Sequence, residues 1–180
     1  MSTTTHLMTA EELFLLADDG YRHELIKGEL LTMAPPGDEH GAFTANITIL
    51  IGQYIQENDL GRVYAETGFQ LERDPDTVLA PDFAFVKKER LSSLLKGYPF
   101  GAPELVVEVL SPGDRKGRVE EKTSRWLALG ASVVWLVNPK NRTIEIRTAS
   151  GSKKTLTETD VLTGEDVVPG FSVLVASIFR

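Results

Sequence analysis

Three residues of this 180-residue chain have types and positions that could act together: Asp82, Glu108 and Lys122. Glu108 lies in the middle of Glu104-Leu105-Val106-Val107-Glu108-Val109-Leu110, where five of seven residues are Leu or Val. Ser111-Pro112-Gly113-Asp114 closes that run with turn chemistry, so it reads as a buried strand. Side chains alternate across a strand, which puts Leu105, Val107 and Val109 on one face and Val106, Glu108 and Leu110 on the other. A carboxylate among branched apolar residues is costly to bury unless something pairs with it or binds it.

Pro81-Asp82 opens a second expected strand, Ala80 to Val86. Proline is tolerable there because only one ladder donor is lost. Asp82 shares a face with Ala84 and Val86, while Phe83 and Phe85 take the other. Alone, Asp82 reads as a turn aspartate at a strand edge. If the two strands are neighbours, Asp82 and Glu108 sit side by side at one end of the sheet. Adjacent carboxylates repel unless a cation lies between them. With oxygen ligands, water and no sulfur, Mg²⁺ or Mn²⁺ is the natural cation. Lys122 lies three residues after Val119 and four before Trp126, on the apolar stripe of an expected helix from about Arg118 to Leu129. It either snorkels, its stem covering Trp126, or aims its ammonium back at the carboxylates.

These residues need elements to position them. The chain is 42% hydrophobic, enough for a substantial core, and its length suits one domain over residues 1–180. Residues 1–36 read as an N-terminal helix and hairpin packed on that core. The formal net charge of −7 argues against a broad basic surface coating nucleic acid, though not against a local basic patch. With no cysteine, disulfides, zinc–thiolate sites and cysteine nucleophiles are excluded. No run of 18 apolar residues exists and the N-terminus lacks a signal pattern, so a cytoplasmic protein without membrane contact is expected.

In chain order, Thr9-Ala10-Glu11-Glu12 is a capping box opening a short helix through about Leu16. Tyr21 to Ile26 and Glu29 to Ala34 read as a hairpin turning at Lys27-Gly28, with Arg22, Glu24 and Ile26 on one face. A long helix follows from about Asp38 to Glu57, with Phe43, Ile47, Leu50, Ile51 and Tyr54 as its apolar stripe. Projected backward, the stripe reaches His40, either a hydrogen-bonded structural residue or a ligand. A strand is expected from Arg62 to Leu71, and a short helix near Arg90 to Leu95. After Lys122's helix come a buried strand, Val133 to Val137, and a hairpin of Ile144–Arg147 with Lys153–Thr157. Strand, helix, strand over residues 104–137 fits a parallel crossover unit, so a mixed α/β sheet is expected.

Pro81-Asp82, then Glu108-Val109-Leu110, then Lys122, resembles the PD-(D/E)XK nuclease superfamily. More narrowly the chain resembles the Uma-two family, described as putative restriction endonucleases. The stretches that carry this are Tyr21 to Leu30, Ala34 to Gly41, Ala80 to Val86, Glu104 to Pro112 with Asp114, and Lys122 with Val134-Trp135-Leu136-Val137. The resemblance spans roughly residues 8–179. It implies a restriction-endonuclease-like α/β core (helix, three strands, helix, strand) with a mixed central sheet and added hairpins. It implies a metal-dependent endonuclease acting on DNA, with Asp82, Glu108 and the carbonyl of Val109 holding Mg²⁺ or Mn²⁺. Lys122 would stabilise phosphoryl charge or orient water, and Glu24 and His40 would be accessory. The superfamily's lysine normally follows the acid by two positions. That position is Leu110 here, so Lys122 must serve from the helix.

Arg115, Lys116, Arg118 and Arg125 form a basic cluster around Lys122, either a phosphate-backbone contact or a solvated helix face. Three readings stay open: an endonuclease, working as a homodimer because cutting both strands takes two sites; a nucleic-acid-binding or regulatory module that kept the fold without useful chemistry; and an interaction protein with the carboxylates as structural ion-pair partners.

Overall fold

The run at residues 104–110 forms the strand Leu105–Val109 in the middle of a six-stranded sheet. The structure is a computed structural model that describes residues 6–91, 93, 94 and 96–180. Its elements are α1 (Ala10–Phe14), β1 (Arg22–Ile26), β2 (Glu29–Met33), α2 (Asp38–Glu57), β3 (Gly61–Ala65), β4 (Phe69–Glu72), β5 (Thr77–Leu79) and β6 (Phe83–Lys87). They continue as β7 (Leu105–Val109), α3 (Lys116–Ala128), β8 (Val133–Asn138), β9 (Thr143–Thr148), β10 (Lys153–Leu156), β11 (Val161–Thr163) and β12 (Ser172–Leu174).

The large sheet has the order β10-β9-β8-β7-β6-β3. β7 and β8 are parallel, joined by α3, and the other pairs of that sheet are antiparallel. The sheet is therefore mixed, and the expected crossover unit is present. A second sheet has the order β2-β1-β5-β4. Its β1–β2 hairpin turns through Lys27 and Gly28, at φ 53° and 79°, the left-handed pair that a two-residue hairpin requires. That turn fixes the register, and the register decides which side chains of β1 face the site.

Alternation sorts the core as the sequence suggested. Phe83, Phe85, Leu105, Val107 and Val109 pack with Ile47, Ile51 and Ile55 of α2. On the opposite face Ala84, Val86, Val106, Val134 and Leu136 pack with Trp126 of α3. Burying each of the Val, Leu, Ile and Phe side chains among them contributes roughly 1.5–3 kcal/mol. No helix among the described residues is long and apolar enough to cross a membrane.

Several local expectations are corrected. The run 62–71 is two strands: β3 lies in the large sheet and β4 in the small one. Glu66 adopts φ 47° between them, and a Cβ at Gly68 would lie 2.6 Å from the Tyr98 ring, so the chain turns sharply there. β5 was not anticipated, nor was the β11–β12 hairpin. α1 stops at Phe14, although the capping box at Thr9 forms as expected. Near Arg90 only a 3-10 turn, Lys88–Arg90, forms; Ser92 and Leu95 of the helix expected there lie outside the described residues. α3 begins two residues early, at Lys116. Asp82 precedes its strand rather than opening it, because β6 starts at Phe83.

Candidate active site

β6 and β7 pair antiparallel, with Phe83 opposite Val107. One residue further along that register, Asp82 stands opposite Glu108, on the face covered by α3. The carboxylates therefore share one face at one end of the sheet. Glu108 also lies beside Leu136 of β8, its partner in the parallel pair.

α3 supplies the cation. Lys122 Nζ lies 2.8 Å from Glu108 Oε1 and 2.9 Å from Glu24 Oε1. It also donates to Glu108 Oε2 at 3.0 Å and to the Ala80 carbonyl at 3.2 Å. A lysine that merely snorkelled would send its ammonium to water; this one turns inward. Trp126, one turn further along α3, is fully buried, and its indole Nε1 donates to Glu108 Oε1 at 2.8 Å.

β1 supplies one charge of each sign. Arg22 and Glu24 are two residues apart, hence on one face. Glu24 is buried and accepts from the Ala80 amide at 2.9 Å as well as from Lys122. Arg22 Nη1 donates to Asp82 Oδ1 at 3.2 Å and lies 3.9 Å from Glu66 Oε1. His40, in the first turn of α2, is buried with Nε2 at 3.1 Å from Asp82 Oδ2. The Val109 amide donates to that same oxygen at 2.7 Å. It is thus the N–H of Val109 that reaches Asp82.

The two carboxylates differ in acidity. Burial pushes Glu108 up most; Lys122 pulls it down, and the charges of Asp82 and Glu24 push it up again, to about 7. Burial alone would raise Asp82 too, but the His40 bond and charge, the Val109 amide and Arg22 hold it below its ordinary value. Burial alone would lower Lys122; Glu108 and Glu24 overturn that and raise it. The bond to Asp82 raises His40 against the effect of burial.

Acceptor capacity tests whether a cation fits. A carboxylate oxygen offers two acceptor positions. Asp82 Oδ2 has both filled, by His40 and Val109; Oδ1 has one filled, by Arg22. Glu108 Oε1 has both filled, by Trp126 and Lys122; Oε2 has one filled, by Lys122. Each carboxylate therefore keeps one oxygen with room for another partner. Among the described residues no group of three or more His, Asp or Glu side chains is arranged to hold a metal by itself. Two carboxylates with hard oxygen donors suit Mg²⁺, which takes one or two carboxylates and keeps several waters.

The sequence placed Asp82, Glu108, Lys122, Glu24 and His40 near one another, and the fold brings all five together. Arg22 and the Trp126 indole were missed as members. The signal for Arg22 was present, since it shares a strand face with Glu24. Of the basic cluster, Arg115, Lys116 and Arg118 are exposed at the N-terminal end of α3. Arg125 is turned along its own helix, 2.7 Å from Glu121.

No curated protein matches the chain. A solved structure, a putative nuclease belonging to DUF820 from Anabaena variabilis, superposes with a TM-score of 0.82 at 18% identity. The match covers 96% of this chain and 97% of the other. At that identity the likeness speaks for the fold, which is the restriction-endonuclease-like architecture expected from the resemblance. The family model of Uma2, described as putative restriction endonuclease, matches residues 10–176. Nearly the whole described fold, and every residue of the site above, falls within that match, so the chain belongs to the Uma2 family.

Proposed function

We propose that this protein is a divalent-metal-dependent endonuclease that hydrolyses phosphodiester bonds of DNA. The observation that carries the proposal is Asp82 opposite Glu108, with the Lys122 ammonium resting on Glu108. Asp82 and Glu108, with the carbonyl of Val109, would hold Mg²⁺ or Mn²⁺. When bound, such an ion polarises a phosphoryl oxygen and acidifies water. Lys122, beside Glu108 and a quarter exposed, would stabilise phosphoryl charge developing there. Glu24 and the Ala80 carbonyl keep that ammonium charged and aimed. His40 and the Val109 amide fix the Asp82 carboxylate by bonding Oδ2, so Oδ1 is the oxygen that would be offered to a cation. Trp126 does the same for Glu108. Arg115, Lys116 and Arg118 offer charge to the DNA backbone beside the site, and Arg125 joins them if it leaves Glu121. Cutting both strands takes two sites, so a homodimer is proposed, acting in the cytoplasm.

The second reading is a nucleic-acid-binding module that keeps the fold with little chemistry. One observation favours it: Lys122 is held by two carboxylates, so much of its charge is already answered. Cleavage of plasmid and single-stranded DNA with Mg²⁺ or Mn²⁺, by wild type and by Asp82→Asn, separates the two. Metal-dependent cleavage lost in Asp82→Asn supports the nuclease. DNA binding without cleavage, unchanged by Asp82→Asn, supports the module.

A further inference from the structure

β1 presents an opposite charge to each half of the site. Glu24 answers Lys122, and Arg22 answers Asp82. The second contact has a consequence for metal entry. Of the two Asp82 oxygens only Oδ1 has an acceptor position free, because His40 and Val109 fill Oδ2. Arg22 Nη1 stands on that same Oδ1. Arg22 never loses its charge, so a divalent ion reaching Asp82 meets a fixed positive charge beside its only open oxygen. Arg22 also has somewhere to go. Its side chain is 25% exposed, and Glu66 Oε1, on a half-exposed side chain, lies 3.9 Å from the same Nη1.

We propose that Arg22 is a displaceable counter-cation: it neutralises Asp82 in the metal-free protein, gives way to the divalent ion, and then binds a phosphate of the nucleic acid. The inference rests on the assignment of Asp82 as a metal ligand. The guanidinium fork suits this second task, because it matches phosphate oxygens two at a time. Arg22 therefore acts first as a competitor and then as a substrate contact, coupling metal entry to phosphate binding. Metal alone leaves the guanidinium without its best partner, and a phosphodiester replaces that partner.

The test is Mn²⁺ binding by calorimetry or electron paramagnetic resonance, on wild type, Arg22→Gln, Arg22→Met and Asp82→Asn. Arg22→Gln keeps a polar side chain and removes the charge, so it remains informative if the methionine variant does not fold. Both Arg22 variants are expected to bind Mn²⁺ about tenfold more tightly than wild type, in the usual range for coupled sites. Binding of a short duplex with Ca²⁺ present is expected to weaken, with a salt slope shallower by about one. Mn²⁺ binding that depends on Asp82 but is unchanged or weaker in the Arg22 variants overturns the competition and leaves the metal site standing. Tighter Mn²⁺ binding with an unchanged salt slope overturns the phosphate contact. No Asp82-dependent Mn²⁺ binding in wild type or in either Arg22 variant overturns both this inference and the metal assignment beneath it.

Discussion

Asp82 and Glu108 stand opposite each other at the end of the β6–β7 pair, yet their surroundings drive their acidities apart. Asp82 receives a guanidinium, an imidazole and an amide N–H. Glu108 receives an ammonium and an indole N–H, but these do not offset its desolvation and the nearby charges of Asp82 and Glu24. Two carboxylates pushed in opposite directions are a mark of functional sites. The consequence is that neutralising them should have opposite effects on stability.

Glu108→Gln should stabilise the metal-free protein at alkaline pH. The ordinary value of 4.5 rises to about 7 in the fold, so the native state holds its proton more tightly than the unfolded chain. The resulting stability is fully present below pH 4.5 and is lost as pH rises through about 7. Glutamine cannot ionise, so the variant should gain on wild type across that window and match or exceed it at pH 8. Thermal melting at pH 5 and pH 8 without metal checks this. A loss of ~3 kcal/mol or more at pH 8 would instead mark a structural ion pair with Lys122.

Asp82→Asn should destabilise. It removes an anion that answers Arg22 and His40, leaving both partners poorly matched. A cost of about 2 kcal/mol is expected at pH 7, the scale for a hydrogen bond to a charged group. Asp82 sits below its ordinary 3.8, so its contribution is present above that pH and is lost as pH falls through the lower native value. The gap between variant and wild type in urea unfolding should therefore narrow toward pH 3.

How much of this was legible in the sequence differs by residue. Glu108 and Asp82 could be placed because strand alternation is strict: one residue of error would have moved either to the other face. Lys122 could be placed on the correct helix face by its spacing from Trp126. Glu108 was one acceptor the sequence offered; Glu24 and the Ala80 carbonyl were not, because they lie far from Lys122 in sequence. The division of the 62–71 run was hidden because both halves read as strand. Only the turn at Glu66 and the tight fit of Gly68 against Tyr98 send β4 into the second sheet. The bond from the Val109 amide to Asp82 was not legible, because periodicity places side chains and says nothing of backbone groups.

Trp126→Phe should isolate the indole's polar role. The ring packs edge-on against Phe69, and phenylalanine keeps an aromatic ring in that place. What disappears is the N–H donated to Glu108 Oε1. The expected cost is roughly 1–2 kcal/mol in urea unfolding at pH 8, where Glu108 is ionised, and less at pH 5, where it is protonated. An equal cost at both values would assign the effect to lost packing alone.

Lys122→Met and Lys122→Arg test the proposed chemistry most directly. Methionine keeps the apolar stem but leaves Glu24 and Glu108 without their ammonium. Glu108 then loses the charge that pulls it down and is pushed further up, so the variant should lose stability as pH rises, and its fold should be verified near pH 6 before any assay. At that pH, Mg²⁺-dependent cleavage by Lys122→Met should fall by about 10²–10³, the scale for losing one charge-stabilising donor. Mn²⁺ binding should be retained or tightened, because a competing positive charge beside Glu108 is gone. Arginine should not restore cleavage. Its planar fork is larger than an ammonium that now fits among Glu24, Glu108 and the Ala80 carbonyl. Cleavage of plasmid and single-stranded DNA by all three proteins is the measurement. Equal rates would relieve Lys122 of any role in the reaction and leave it as the ion-pair partner of Glu24 and Glu108.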